Sequence, residues 1–150
     1  MQTEYRFLGI RALIIEDEAL IAEELSDRLS SLGFYVIGSV DSADEGIAIA
    51  TIECPELVLM DIRLRGKKDG VQAAEEIRRR VDVSIIYVSA HSDKMTVNRA
   101  KQTEHDGFIL KPFQRRELQS TLEIAMLRRA IRARERMQEH PGVATPRPNF

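Results

Sequence analysis

One stretch of the sequence, from Leu57 to Gly66, most constrains the fold of the chain. It begins with a short apolar run that follows Pro55 and ends at the acid Asp61. A continuous apolar run of this length is typical of a strand buried on both faces, and such strands belong to parallel sheets covered by helices. Open α/β sheets bind their ligands above the carboxyl ends of the strands. Asp61 is therefore the first candidate for function, although an aspartate there also commonly caps a turn.

The rest of the chain alternates further predicted strands with predicted helices. Apolar or β-branched runs predict four more strands, over residues 11–15, 34–40, 84–89 and 107–110. Apolar residues that recur every three or four positions predict helices between the strands and an extended last helix over about residues 114–139. This alternation predicts an α/β fold with a doubly wound, five-stranded parallel sheet, because each crossover returns the chain to the same edge.

Composition excludes several classes of protein. The length of 150 residues suits one domain, and a net charge of -2 gives no general attraction to nucleic acid or membrane. The single cysteine, Cys54, excludes an internal disulfide and a multi-cysteine zinc site. We expect its thiol to be partly buried and inert, since no cation flanks it in sequence. The sequence shows no apolar segment typical of a signal peptide or membrane span, so we expect a cytoplasmic protein.

Polar side chains stand at the ends of four of the predicted strands. They are Glu16 and Asp17, Asp61, Ser89, and Lys111. Carboxylates gathered at one sheet edge repel one another and require a cation, and oxygen ligands without His or Cys select a hard ion such as Mg²⁺. A hydroxyl and an ammonium suit phosphate oxygens. The set therefore indicates phosphoryl transfer to a carboxylate nucleophile.

In order and spacing these five residues resemble the receiver domain of two-component response regulators. The resemblance covers about residues 11–128 and implies the flavodoxin-like receiver fold. It also implies that Asp61 is the phosphoacceptor. The implied Mg²⁺ ligands are Glu16, Asp17, Asp61 and the main-chain carbonyl of Arg63.

The resemblance assigns roles to the residues around the acceptor as well. Ser89 and Lys111 would bind the phosphoryl group, and the small Ala90 would leave room for it. Ser89 and Phe108 would form the switch pair, and Pro112 would follow a cis peptide bond. The chain has Glu-Asp, Ser and Phe where the family more often has Asp-Asp, Thr and Tyr. A switch at Phe108 would therefore work by packing, because phenylalanine has no hydroxyl.

Two long side chains are candidates for setting the lifetime of the phosphoryl group. Arg63 lies two residues after Asp61, and His91 lies two residues after Ser89. Both would flank the phosphoryl group and hinder an attacking water molecule. The alternative is that both side chains point to solvent.

The last helix predicts an interface. At about 100° per residue its apolar residues fall on two faces. One face carries Leu118, Leu122, Ala125 and Met126, and the other carries Ile124, Leu127 and Ile131. One face must dock on the sheet, so the second favours a homodimer through the last helix. The alternative is a monomer with a frayed helix end, since like charges repel in the arginine-rich half.

We divide the chain into four parts. They are an N-terminal lead over residues 1–10, the receiver domain over 11–128, an extension of the last helix over 129–140, and a disordered, proline-rich tail over 141–150. With no linker to a second domain, we expect a stand-alone response regulator. It would accept a phosphoryl group from a sensor histidine kinase or phosphotransfer protein and signal by protein contact, without turnover of an external substrate.

The sequence leaves three alternative functions to compare with this one. A phosphatase of the haloacid dehalogenase type needs a second aspartate two residues after the nucleophile, where this chain has Arg63. A degenerate receiver that acts only as a dimerising adaptor remains the alternative to phosphorylation. Nucleic-acid binding by the last helix has little support, because its seven Arg and three Glu over residues 115–136 are not interleaved with aromatic residues.

Overall fold

The computed structural model describes residues 7–90 and 94–139, which form one five-stranded parallel sheet with helices on both faces. The strands are β1 (Arg11–Ile15), β2 (Tyr35–Val40), β3 (Leu57–Met60), β4 (Ser84–Ala90) and β5 (Gly107–Lys111). The helices are α1 (Ala19–Ser31), α2 (Ala43–Glu53), α3 (Gly70–Arg80), α4 (Lys94–Gln102) and α5 (Arg115–Glu139). The strand order is β2-β1-β3-β4-β5, and every pairing is parallel. The predicted doubly wound fold is confirmed.

Strand β3 lies at the centre of the sheet, and all four of its residues are buried. Leu57 and Leu59 belong to the core beneath α1 and α5, whereas Val58 and Met60 belong to the core beneath α2 and α3. This alternation follows from the two-residue period of a strand. Each of these side chains contributes about 1.5–3 kcal/mol by leaving water. The apolar run therefore stabilises both layers at once and ends at Asp61.

Phe7 is part of the core, although it lies in the N-terminal lead, for which the sequence predicts neither a helix nor a strand. It is 2% exposed, and its ring stacks on Phe34 with 4.7 Å between the centroids. Residues 1–6 and the tail predicted over 141–150 lie outside the described residues.

The expectation for Cys54 is wrong, because the cysteine is exposed. It ends α2 in a left-handed conformation with φ of 47°. The reversal at this position buries the next residue, Pro55, ahead of β3 and leaves the thiol in solvent.

Helix α5 has the two apolar faces that the sequence predicts. Leu118, Leu122, Ala125 and Met126 are buried against the sheet. On the other face Ile124, Leu127 and Ile131 are 52%, 61% and 46% exposed. None of the helices in the described residues combines the length and the apolarity that crossing a membrane requires.

Candidate functional site

Asp61 follows β3 directly and is 4% exposed, so its carboxylate depends on protein partners. Ser89, near the end of β4, donates a hydrogen bond from Oγ to Asp61 Oδ1 over 3.2 Å. Lys111, the last residue of β5, places Nζ 3.5 Å from Asp61 Oδ2. Three adjacent parallel strands thus bring a carboxylate, a hydroxyl and an ammonium together at one edge of the sheet.

The acidic side of the site follows β1, which pairs with β3 on the opposite side from β4. Glu16 is buried, and its Oε1 lies 2.7 Å from Nζ of Lys111. Oxygens of Glu16, Asp17 and Glu18 all lie within 4.8 Å of one another. Lys111 Nζ also lies 3.5 Å from Oε1 of Glu18. The structure therefore brings together Glu16, Asp17, Asp61 and Lys111, as the topology predicts.

Glu18 is a member of the cluster that the sequence reasoning missed. It completes an acidic run of three after β1, which was visible in the sequence. The run continues directly into α1, whose N-cap is Glu18. Its backbone N–H donates to Oε2 of Glu16 over 3.0 Å, so the start of the helix also orients the buried acid.

The electrostatics of the site oppose ionisation of its acids. Burial, above all, and the neighbouring Glu16 raise the pKa of Asp61 from 3.8 to about 6, and Lys111 offsets only part of the rise. Burial and contact with Asp61 also raise the pKa of Asp17. Burial lowers the pKa of Lys111, but Glu16 and Asp61 outweigh that effect and raise it overall. One ammonium thus faces several carboxylates, and the site is short of positive charge.

The residues present fit a hard divalent cation. Oε1 of Glu16 is buried and lies 2.7 Å from the Lys111 ammonium, which also faces Glu18 and Asp61 at 3.5 Å. Glu16, Asp17 and Asp61 offer carboxylate oxygens with no nitrogen or sulfur ligand among them. Oxygen ligands of this type suit Mg²⁺, which needs few protein ligands because it keeps several waters.

The chain turns sharply after Asp61, and Gly70 makes this possible. The Gly70 N–H donates to the carbonyl oxygen of Ile62 over 2.6 Å. A Cβ atom on Gly70 would collide with the main-chain carbonyl of Asp61. Only glycine fits this close approach between the first residue of α3 and the candidate acceptor.

The remaining predicted site residues that the structure describes differ in exposure. Phe108 in β5 is partly exposed, and its ring centroid lies 6.0 Å from that of Tyr87. Arg63 and Ala90 are exposed, and His91 lies outside the described residues. The peptide bond between Lys111 and Pro112 is cis, as the resemblance implied.

Comparison with known proteins agrees with this geometry. The family model described as "Response regulator receiver domain" matches residues 12–123. The signal receiver domain of a modulated diguanylate cyclase from Desulfovibrio desulfuricans superposes with a TM-score of 0.76 at 32% identity, over 81% of this chain and 97% of that one. The response regulator PhyR from Brucella abortus superposes with a TM-score of 0.80 at 27% identity, over 92% of this chain and 56% of that one.

Curated relatives are longer than this chain. Transcriptional regulatory protein PdtaR from Mycobacterium tuberculosis is 34% identical over 118 residues, which are 79% of this chain and 57% of PdtaR. The probable transcriptional regulator ycf27 from Porphyridium aerugineum is 36% identical over 123 residues, 82% of this chain and 50% of that protein. The chain thus spans about half the length of these relatives. It belongs to the family of response regulator receiver domains, which act in two-component signalling.

Proposed function

We propose that Asp61 accepts a phosphoryl group from a phosphohistidine of a sensor histidine kinase or phosphotransfer protein, with Mg²⁺ as cofactor. The proposal rests on the position of the Asp61 carboxylate. The buried Asp61 carboxylate lies between the Ser89 hydroxyl at 3.2 Å and the Lys111 ammonium at 3.5 Å. A nucleophile flanked by two groups that bind phosphate oxygens is the arrangement that phosphoryl transfer needs, because the transfer depends mainly on positioning and charge neutralisation.

In this reaction a carboxylate oxygen of Asp61 attacks the phosphorus atom of the donor. The new O–P bond forms as the P–N bond to the histidine breaks, and the imidazole keeps that electron pair and takes up a proton. Ser89 Oγ and Lys111 Nζ then hold oxygens of the transferred group, for which exposed Ala90 leaves space. Glu16, Asp17, Asp61 and the main-chain carbonyl of Arg63 would hold Mg²⁺, which when bound supplies the positive charge that the site lacks.

The consequences of phosphorylation would be carried by residues around the acceptor. Ser89 turns from the Asp61 carboxylate to the phosphoryl group, and Phe108 repacks beside Tyr87, so the switch works by packing. The exposed Arg63, together with His91, shields the phosphoryl group from water and extends its lifetime. Dephosphorylation rates of Arg63→Ala and His91→Ala test the shielding; rates within about twofold of the parent would show that neither side chain shields.

Phosphotransfer profiling tests the donor. Each candidate kinase or phosphotransfer protein is first phosphorylated on histidine with labelled phosphate and then mixed with the chain in Mg²⁺. Label should move to the parent within seconds for a cognate donor and should not move to Asp61→Asn. Transfer to that variant, or transfer in excess chelator, would contradict the proposal.

A second candidate function is that of an adaptor that dimerises without phosphorylation. The observation that favours dimerisation is the exposed apolar stripe on α5, formed by Ile124, Leu127 and Ile131. Beside the stripe lies a groove of about 600 Å³ lined mainly by apolar side chains, among them Phe7 and Ile10. We propose a homodimer in which the stripe of each copy contacts the same patch of the other, as a two-fold interface requires.

A further inference from the structure

We infer that Arg99 of α4 is a positioning residue for the reaction at Asp61, because its ion pair with Asp69 fixes the loop between β3 and α3. The part of that loop that follows Asp61, residues 62–69, is called here the acceptor loop. The inference rests on the proposed role of Asp61 as phosphoacceptor and assigns a function to two residues outside the predicted site.

The ion pair is close and involves both oxygens of the carboxylate. Nη2 of Arg99 lies 2.8 Å from Oδ1 and 2.6 Å from Oδ2 of Asp69. The two side chains are 46% and 30% exposed, so water screens the pair but does not separate it. The contact joins the start of α3 to α4, which are 30 positions apart in sequence.

Asp69 is itself anchored to the start of α3. Its Oδ1 accepts a hydrogen bond from the Gln72 N–H over 3.0 Å, and its own N–H donates to Oε1 of Gln72 over 3.0 Å. This reciprocal capping box fixes Asp69 relative to the first turn of the helix. The next residue, Gly70, packs against the carbonyl of Asp61. Arg99 therefore holds one end of the acceptor loop, whose other end directly follows the candidate acceptor.

A second tether restrains the acceptor loop through Lys68. Nζ of Lys68 lies 2.8 Å from Oε1 of Glu76 in α3 and 3.3 Å from Oδ1 of Asp44 in α2. The loop is thus tied to α2 and α3 through Lys68 and to α4 through Asp69. Helix α4 follows β4, the strand that carries Ser89. The Arg99 tether therefore links the acceptor loop, which follows Asp61, to the helix that follows Ser89.

The acceptor loop also carries the main-chain carbonyl of Arg63, which we propose as a Mg²⁺ ligand. A loop held against α4 presents this carbonyl in one position, whereas a released loop presents it for only part of the time. Loss of the Arg99 tether should therefore raise the Mg²⁺ concentration needed for phosphorylation. The rate at saturating Mg²⁺ should stay the same, because the side chains at Asp61 are untouched.

Two single substitutions remove the tether without removing the helix cap. Arg99→Gln removes the cation, and Asp69→Asn removes the negative charge while asparagine remains as good an N-cap as aspartate. Each should raise the Mg²⁺ concentration that gives half-maximal phosphorylation by acetyl phosphate. The expected rise is about two- to five-fold, which corresponds to the loss of one exposed ion pair. Each should also speed amide hydrogen exchange over residues 62–69, and the double variant should add little to either effect.

Matched variants separate this role from a general loss of stability. Arg99→Lys should restore most of the parent behaviour, because a single nitrogen makes both contacts with Asp69 and an ammonium can replace it. Arg136→Gln breaks an ion pair of comparable exposure with Asp82 and should change neither readout.

The outcomes distinguish the inference from the proposed function. A parent chain that takes up no phosphoryl group overturns the proposed function and the inference together. A parent that is phosphorylated, with unchanged Mg²⁺ requirement and unchanged exchange in Arg99→Gln, overturns the inference alone.

Discussion

Burial and the carboxylate of Glu16 together hold the pKa of Asp61 near 6, above its ordinary value of 3.8, despite the nearby Lys111. When the pKa of a carboxyl is higher in the folded than in the unfolded chain, the free energy of unfolding falls as pH rises from the unfolded to the folded pKa. The reason is that the unfolded chain ionises more readily. At neutral pH, which lies above both pKa values, the full loss of stability from Asp61 is present. Asp61, the proposed phosphoacceptor, is therefore a residue whose ionised carboxylate lowers the stability of the fold.

Asp61→Asn should accordingly stabilise the chain in Mg²⁺-free buffer at neutral pH. The shift from 3.8 to about 6 sets an upper limit of about 3 kcal/mol, and we expect a gain of about 1–3 kcal/mol in the free energy of unfolding. Urea unfolding measures the change. The control Asp27→Asn removes a negative charge from an exposed position on α1 and should leave stability nearly unchanged. A loss of stability in Asp61→Asn would contradict this view of the site.

Gly70→Ala tests the turn after the candidate acceptor, Asp61. The new methyl group would collide with the carbonyl of Asp61, so the backbone must shift at the candidate acceptor. We expect a loss of about 1–3 kcal/mol in stability and a loss of phosphorylation by acetyl phosphate. The matched change Gly38→Ala meets only a side-chain atom of Leu13 at 3.7 Å and should be tolerated. Equal stability and phosphorylation in the two variants would show that the close approach is unimportant.

At this scale the sequence predicted the residues that stand at strand ends. Glu16, Asp61 and Lys111 meet because parallel strands bring their carboxyl ends to one edge. The pair of Arg99 and Asp69 was not predicted, because it depends on how a helix and a loop approach each other across 30 positions.

At the scale of elements, the arginine-rich half of α5 is fastened to the sheet by ion pairs. Nη1 of Arg132 lies 3.2 Å from Oδ1 of Asp106, and Nη2 of Arg78 in α3 lies 2.9 Å from Oδ2 of the same carboxylate. One turn further along, Arg136 pairs with Asp82 over 3.2 Å. Three of the arginines that were expected to repel one another, Arg129, Arg132 and Arg136, are thus paired with acids before β4 and before β5.

Asp106 should make stability depend on pH in the acid range. Burial alone would raise the pKa of its carboxyl, but the Ile85 N–H and the guanidinium of Arg78 outweigh it and hold the pKa below its ordinary value. The stabilisation is therefore complete above the ordinary pKa of 3.8 and is lost as pH falls through the lower folded value. Asp106→Asn should lower the free energy of unfolding by about 2 kcal/mol at neutral pH.

Unfolding curves at a series of pH values check this prediction. The difference between the parent and Asp106→Asn should shrink as pH falls below the ordinary aspartate pKa. If the difference stays constant down to the most acidic condition, asparagine at position 106 destabilises the fold for a reason other than the lost charge.

The sequence predicted the type and order of every strand and helix in the described residues, because apolar periodicity is a local signal. It did not predict that Phe7 joins the core or that the end of α5 is fastened to Asp82 and Asp106. Both features depend on contacts between distant parts of the chain, which periodicity does not report.

At the scale of the whole molecule, the exposed stripe of Ile124, Leu127 and Ile131 is an apolar surface on a helix that the ion pairs hold in place. Light scattering should give twice the mass of the chain for the parent and the single mass for the double variant Leu127→Glu/Ile131→Glu. The control Leu20→Glu changes an equally apolar residue that is 81% exposed on α1, and it should remain a dimer. A parent that is a monomer both with and without phosphorylation would rule out the homodimer.

The central claim is that Asp61 is a Mg²⁺-dependent phosphoacceptor, and intact-mass measurement after incubation with acetyl phosphate tests it most directly. The parent in Mg²⁺ should gain one phosphoryl group. The parent in excess chelator should gain none, and neither should Asp61→Asn in Mg²⁺, although Asp27→Asn should behave as the parent does. A phosphoryl group that still appears on Asp61→Asn, or that appears on the parent in chelator, would contradict the account.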